Sequence, residues 1–184
     1  MQALSAYDDI EAKINAVIIR GFNDDEGPRF AEFARKAQLN VRFIEFMPLG
    51  KDDGWQDTRV LPGDELKASI EAVYPLVPIE SAGRNPAARW RFADGAPGEI
   101  GFINSVSEPF CHSCNRVRLT SDGQLRTCLF STVERDLKAP LRAGADDRAL
   151  TALIKAWVDA KEPGHGINAA DFERPLRSMS GIGG

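Results

Sequence analysis

Residues 13–46 read KINAVIIRGFNDDEGPRFAEFARKAQLNVRFIEF, and this stretch decides the fold of the first part of the chain. Lys13 to Ile19 is a β-branched run, the composition of a strand. Arg20 to Glu26 is a turn with capping residues, and Pro28 suits a first helical turn, where a missing N–H costs nothing. Phe30, Phe33, Ala34 and Ala37 keep helical spacing, so a helix is expected to about Gln38. Val41 to Phe46 is a second strand, stopped by Pro48. Strand, helix and strand in so short a span imply parallel pairing through a right-handed crossover.

Working outward, Gly50-Lys-Asp-Asp-Gly-Trp is a polar loop and the expected domain boundary, dividing residues 1–50 from 51–184. A helix is expected from Gly63 to Tyr74, with Leu66, Ile70 and Val73 on one face and Pro75 and Pro78 ending it. Short strands follow near Arg89–Ala93 and Glu99–Asn104. Arg116–Thr120 and Gln124–Cys128 flank Ser121-Asp122-Gly123, a hairpin signal that carries Cys128 back toward Cys111 and Cys114. Leu150, Leu153, Ile154, Trp157 and Val158 mark an amphipathic helix capped near Asp146 or Asp147. The expected class is therefore α/β at the start and α+β with antiparallel strands after it. No internal repeat is visible.

The 184 residues are 43% apolar and 27% charged, within the globular range. With 23 basic against 27 acidic side chains the net charge is −4, which argues against broad nucleic-acid binding while leaving room for a local basic pocket. Apolar runs stay short, as in Ala16 to Ile19, so no membrane span is expected. The first residues lack a basic segment followed by a long apolar one, so the expectation is a cytoplasmic protein without a signal peptide.

The three cysteines, Cys111, Cys114 and Cys128, carry the main chemical signal. A CxxC turn lets two sulfurs converge, and the hairpin returns the third. An odd cysteine count does not suit a disulfide framework. One reading is a structural zinc, with His112 or His165 as fourth ligand. The other is an iron–sulfur cluster on three thiolates, which leaves one iron open to a substrate atom; four cysteines are the usual complement.

Arg116 and Arg118 follow the CxxC at a spacing that, on a strand, puts both guanidiniums on one side. Such a pair suits a phosphate, and a solvated edge strand is the plainer alternative. Lys13 and Asn15 share a face of the first strand. Arg42 and Glu45 interrupt an apolar second strand with opposite parity, so they cannot face one cavity without a bulge. Either could belong to a structural ion pair. Met47 lies just past the strand's C-terminal end, where barrel enzymes place ligand contacts. Gly183 and Gly184 end the chain, which reads as a frayed tail or as a segment slim enough to thread a narrow channel.

Taken in order, KINAVIIRGFNDDE, VRFIEFMPLG, FCHSCNRVRLTSDGQLRTCLF, GHGIN and RSMSGIGG resemble the C-terminal half of the radical S-adenosylmethionine GTP 3′,8-cyclase family of molybdenum cofactor biosynthesis. The resemblance runs from about residue 11 to the end. It implies the last βαβ unit of a TIM-like barrel followed by a molybdenum cofactor synthesis C-terminal domain. It implies a [4Fe–4S] cluster on Cys111, Cys114 and Cys128 whose open iron holds the guanine of GTP. Lys13, Arg42, Arg116, Val117 and Arg118 would line the GTP site, and Met47 would touch S-adenosylmethionine. Gly183 and Gly184 would form a tail reaching into the active site.

The family's reaction is a radical cyclisation of GTP to (8S)-3′,8-cyclo-7,8-dihydroguanosine 5′-triphosphate, begun by a second cluster on a CxxxCxxC motif. The next enzyme of the pathway is cyclic pyranopterin monophosphate synthase. This chain has no CxxxCxxC and only the last two barrel strands. The expectation is a part that is inactive alone, a fragment, a truncated gene product or half of a split system that needs the missing radical S-adenosylmethionine half or a full-length enzyme. Exposed sheet edge in such a part favours association, a homodimer included. Two alternatives stand beside this reading: a non-catalytic zinc module, and an electron carrier, which would leave Lys13, Arg116 and Arg118 unexplained.

Overall fold

The computed structural model describes residues 11–50, 54–80 and 85–182. The chain divides into two compact units, residues 1–47 with 56–110 and residues 48–55 with 111–184. The polar loop around residue 50 groups with the second unit, and the strands on either side of it share one sheet in the first.

In the first unit β1 (Lys13–Ile18), α1 (Gly27–Ala37) and β2 (Asn40–Glu45) form the expected crossover, with β1 and β2 parallel. Pro28 sits in the first turn of α1, and Gln38 ends the helix in the left-handed conformation, φ 54°. α2 (Gly63–Glu71), β3 (Leu76–Ile79), β4 (Ala88–Phe92) and β5 (Glu99–Ile103) complete the unit. The sheet order is β1-β2-β5-β4-β3. β2 and β5 are parallel, while β5, β4 and β3 run as an antiparallel meander. The result is a mixed sheet.

One strand and one helix depart from expectation. β3 was hidden because Pro78 interrupts its run and reads as a helix stop. It is tolerated there because β3 is the sheet edge, where a missing N–H leaves no ladder bond unmade. α2 ends at Glu71 and not at Tyr74, so Val73 is exposed.

Register places side chains with period two. Ala16 and Ile18 of β1, Val41 and Phe43 of β2, and Ile100 and Phe102 of β5 share the core face and pair in rows. Ala31 and Ala34 of α1 and Leu66 and Ile70 of α2 close over them. Small residues allow close approach here: a Cβ on Gly27 would lie 2.7 Å from the Leu66 Cδ1. Phe43 stacks on Phe102 at 5.8 Å and meets Phe30 edge-on at the same distance. Arg35 reaches from α1 to Asp94 with two bonds of 3.0 and 2.7 Å, and its guanidinium lies over the Phe92 and Tyr74 rings.

The second unit holds a three-stranded antiparallel sheet, β6 (Arg118–Leu119), β7 (Gln124–Arg126) and β8 (Arg135–Asp136), then α3 (Lys138–Arg142) and α4 (Asp147–Asp159). The hairpin is shorter than expected, so Arg116 lies outside the strand. Gly123, φ 85°, supplies the turn. Asp146 caps α4, accepting the Ala149 N–H at 2.8 Å. The apolar side of α4 is half-buried at Leu150, Leu153, Ile154 and Trp157. The end of the described chain is anchored: Pro175 and Ile182 are fully buried, and Arg177 pairs with Asp122 and Glu134.

Candidate functional site

In the second unit the CxxC forms a tight 3₁₀ turn, Cys111–Ser113, and the Cys114 N–H donates to the Cys111 carbonyl at 3.1 Å. Cys128 follows β7 and lines a cleft of about 360 Å³ with Phe130, Glu162 and His165. All three thiols are free and half-buried. They lie in one electrostatic neighbourhood. Burial pushes the Cys114 thiol up, but hydrogen bonds from Arg116 and the charges of Arg116 and Lys161 outweigh it and leave the group below its ordinary value. Burial also pushes the Cys128 thiol up, and Glu162 and Cys111 add to the rise. The Arg118 guanidinium is lowered by burial and by Arg116 and Arg126, with Cys128 and Cys114 opposing.

Among the described residues no three His, Cys, Asp or Glu side chains gather closely enough to hold a metal ion as they stand. His112 is exposed. The His165 Nδ1 accepts the Ile167 N–H at 3.1 Å, and its ring packs on Phe130 at 4.8 Å. A zinc site would need four donors within about 2.3 Å of one point. A cubane lets each thiolate bind a different iron, so its ligands stand further apart. Half-buried thiols beside Arg116, Arg118 and Lys161 fit an anionic, thiolate-bound group.

Arg118 begins β6 opposite Arg126. Arg116 is exposed, and its N–H groups serve Cys114. Val117 is 45% exposed. The two arginines therefore flank the thiols without forming the strand-borne pair that alternation suggests.

In the first unit, register aligns Lys13, Asn40 and Glu99 in one row and Asn15, Arg42 and Gly101 in the next, on the face away from the helices. Gly101 leaves room for the Arg42 stem: a Cβ there would lie 3.2 Å from Arg42 Cγ. Lys13 and Arg42 line a cleft of about 160 Å³, together with an Arg89–Glu99 pair closed by bonds of 2.7–2.9 Å. Glu11 stands in this cleft, 2.6 Å from the Lys13 ammonium and 2.6 Å from Asn40 Nδ2. The hydrogen bond from Lys13 holds its carboxyl below the usual range against some burial. Met47 is half-buried, two residues beyond β2. Gly183 and Gly184 lie outside the described residues.

Glu45 corrects an expectation. It sits on the core face at 3% exposure and, among the described residues, pairs with neither Arg nor Lys. Its carboxylate accepts the N–H groups of Gly63 at 3.2 Å, Val106 at 2.7 Å and Ser107 at 2.9 Å, and the Ser107 hydroxyl. Gly63 opens α2, so this buried anion also meets the positive end of a helix. Sequence reasoning missed Lys161 and Glu162, which bond to the backbone and hydroxyls around the cysteines and carry no motif signal.

The chain matches the family Molybdenum Cofactor Synthesis C over residues 39–167, and it belongs to that family. It is similar to the GTP 3′,8-cyclases of Pelotomaculum thermopropionicum, 47% identical over 174 residues, and Moorella thermoacetica, 46% over 173. That of Syntrophomonas wolfei is 44% identical over 172 residues. Each alignment takes in 94% of this chain and 52–53% of the relative, so the chain spans about half the length of the curated relatives it matches. Among the described residues no helix is long and apolar enough to cross a membrane.

Proposed function

We propose that this chain is the cluster- and GTP-binding part of a GTP 3′,8-cyclase. The observation that carries the reading is 44–47% identity over 94% of the chain to proteins of that name. Cys111, Cys114 and Cys128 are the ligands of a [4Fe–4S] cluster. When bound, the cluster supplies one iron without a protein ligand, a Lewis-acid seat for a guanine donor atom. Arg116 and Arg118 hold the anionic substrate by charge-assisted, fork-shaped hydrogen bonds, with Val117 offering an apolar contact between them. Lys13 and Arg42 are further cationic contacts of GTP in this reading, and the Lys13 ammonium already holds a carboxylate, that of Glu11, at 2.6 Å. Met47 contacts S-adenosylmethionine, and Gly183 and Gly184 belong to the tail that enters the active site.

In this reading β1, α1 and β2 are the last βαβ unit of a partial TIM-like barrel whose remainder, with the S-adenosylmethionine cluster, lies outside this chain. Residues 51–184 form the family's C-terminal domain. The chain is then inactive alone, complemented by the radical half or a full-length enzyme, with homodimer formation and a cytoplasmic setting. Its product passes to cyclic pyranopterin monophosphate synthase.

Anaerobic reconstitution with iron and sulfide, followed by GTP titration, tests the reading. The expected result is about four iron and four sulfide per chain and saturable GTP binding. One zinc per chain without sulfide, and no GTP binding, would establish the structural-zinc alternative. A loaded cluster without GTP binding would indicate an electron carrier.

A further inference from the structure

Lys161 and Glu162 follow α4 in the second unit. The Lys161 ammonium donates to the Arg116 carbonyl at 3.1 Å and to the Thr127 carbonyl. Arg116 lies two residues past Cys114, and Thr127 directly precedes Cys128. One side chain therefore ties the loop bearing two thiols to the segment bearing the third. Glu162 accepts the Thr127 hydroxyl at 2.6 Å and the Ser131 hydroxyl at 2.6 Å, gripping the chain on both sides of Cys128.

The two charges act on the thiols with opposite sign. Hydrogen bonding fixes the Lys161 ammonium against the segments that bear Cys114 and Cys128, and the Glu162 carboxylate on both sides of Cys128. A group held by three thiolates gains negative charge on reduction, so a nearby ammonium favours the reduced state and a nearby carboxylate opposes it. Outer contacts of this kind also orient ligands, and losing one typically weakens metal binding by about 10–100-fold.

We propose that Lys161 is a positioning residue that holds Cys111, Cys114 and Cys128 in ligating register and offsets the charge of the group they bind, with Glu162 as its opposing partner. The inference rests on the cluster reading above. Lys161 contacts neither substrate nor cluster in this role; it acts through the backbone of Arg116 and Thr127.

The test uses the 184-residue chain, reconstituted anaerobically with iron and sulfide, in four variants: Lys161→Met, Lys161→Arg, Glu162→Gln and Cys128→Ser. Retention of iron against a chelator and the midpoint potential are measured. Lys161→Met is expected to weaken retention about tenfold and to move the potential negative, and Lys161→Arg to restore retention. Glu162→Gln is expected to move the potential positive. Unchanged retention and potential in Lys161→Met, or shifts of one sign in both charge variants, would overturn the proposal. If Lys161→Met loses its helical circular dichroism, Glu162→Gln decides, and an unmoved potential there overturns it. A Cys128→Ser chain that loads as much iron and sulfide as the unsubstituted one would instead defeat the cluster reading and the inference with it.

Discussion

The Glu45 carboxylate accepts the Val106 N–H at 2.7 Å across a sequence separation of 61 residues, and both groups are buried. The same carboxylate accepts the first N–H of α2. One side chain therefore joins the end of β2, the start of α2 and the turn after β5. Hydrogen bonds to a charged group contribute about 1.5–3 kcal/mol each, and buried donors left unpaired add a further penalty. Glu45→Ala should cost about 2–4 kcal/mol, read as a lower urea midpoint with the slope preserved. A loss below about 0.5 kcal/mol, the scale of an ordinary surface substitution, would show that the three N–H groups find other partners.

A second prediction concerns acid. The Arg177 hydrogen bond, helped by the Thr120 hydroxyl, holds the Asp122 carboxyl down at about 2, against an ordinary 3.8. Asp94 is held at about 2 by Arg35 and by the Ala96 N–H. A depressed carboxylate stabilises the fold fully above its unfolded pKa, and the contribution disappears as pH falls through the folded value. Both pairs should therefore be fully effective above pH 4 and weaken from about pH 4 to 2. Thermal melts across that range should fall less steeply in Asp122→Asn and Asp94→Asn than in the unsubstituted chain. Equal slopes would place the acid sensitivity elsewhere.

Gly98 gives a steric test. Its φ is +90°, and a Cβ there would meet the Ala34 carbonyl oxygen at 2.6 Å and that of Leu39 at 2.8 Å. Both obstacles are backbone, so neither can swing aside. Gly98→Ala should destabilise the chain by about 1–3 kcal/mol. Gly95→Ala, also at positive φ but with nothing within 4 Å of the added carbon, separates dihedral strain from the clash and should cost less. Equal losses would mean that backbone strain alone accounts for both.

For the proposed GTP site, Arg116→Ala and Arg118→Ala should each weaken GTP binding by about one to two decades, since a charge-assisted bond contributes roughly 1.5–3 kcal/mol. Iron content should hold, because neither guanidinium is a ligand. Titration calorimetry with iron analysis on the same samples checks both halves of the statement. Unchanged affinity in both variants would remove these residues from the nucleotide site.

Much of the first unit was legible because period and parity are local. The β1–α1–β2 crossover follows from residues 13–46, and the parity that separates Arg42 from Glu45 is the parity observed in the sheet. What held Glu45 was not legible: its partners are backbone N–H groups from residues 63, 106 and 107, which have no sequence signature. β3 was concealed by Pro78, whose tolerance depends on being at an edge. The β7–β8 pair rests on two- and three-residue strands, too short for alternation to register. In the cysteine segment the candidate ligands of the proposed group stand out by their spacing, whereas Lys161 and Glu162 bond to carbonyl and hydroxyl groups that any residue or several residue types would supply.

The sheet order β1-β2-β5-β4-β3 also governs the timing of assembly. The partner that covers the second edge of β2 is β5, the last strand of the unit to leave the ribosome. At roughly 5–20 residues per second, β2 waits for seconds with an open row of N–H and C=O groups. The βαβ segment can form early, but the parallel β2–β5 pair depends on closing a long loop, which slows folding. Nascent chains arrested before residue 99 should thus engage holdase chaperones, and chains extended past residue 110 should release them.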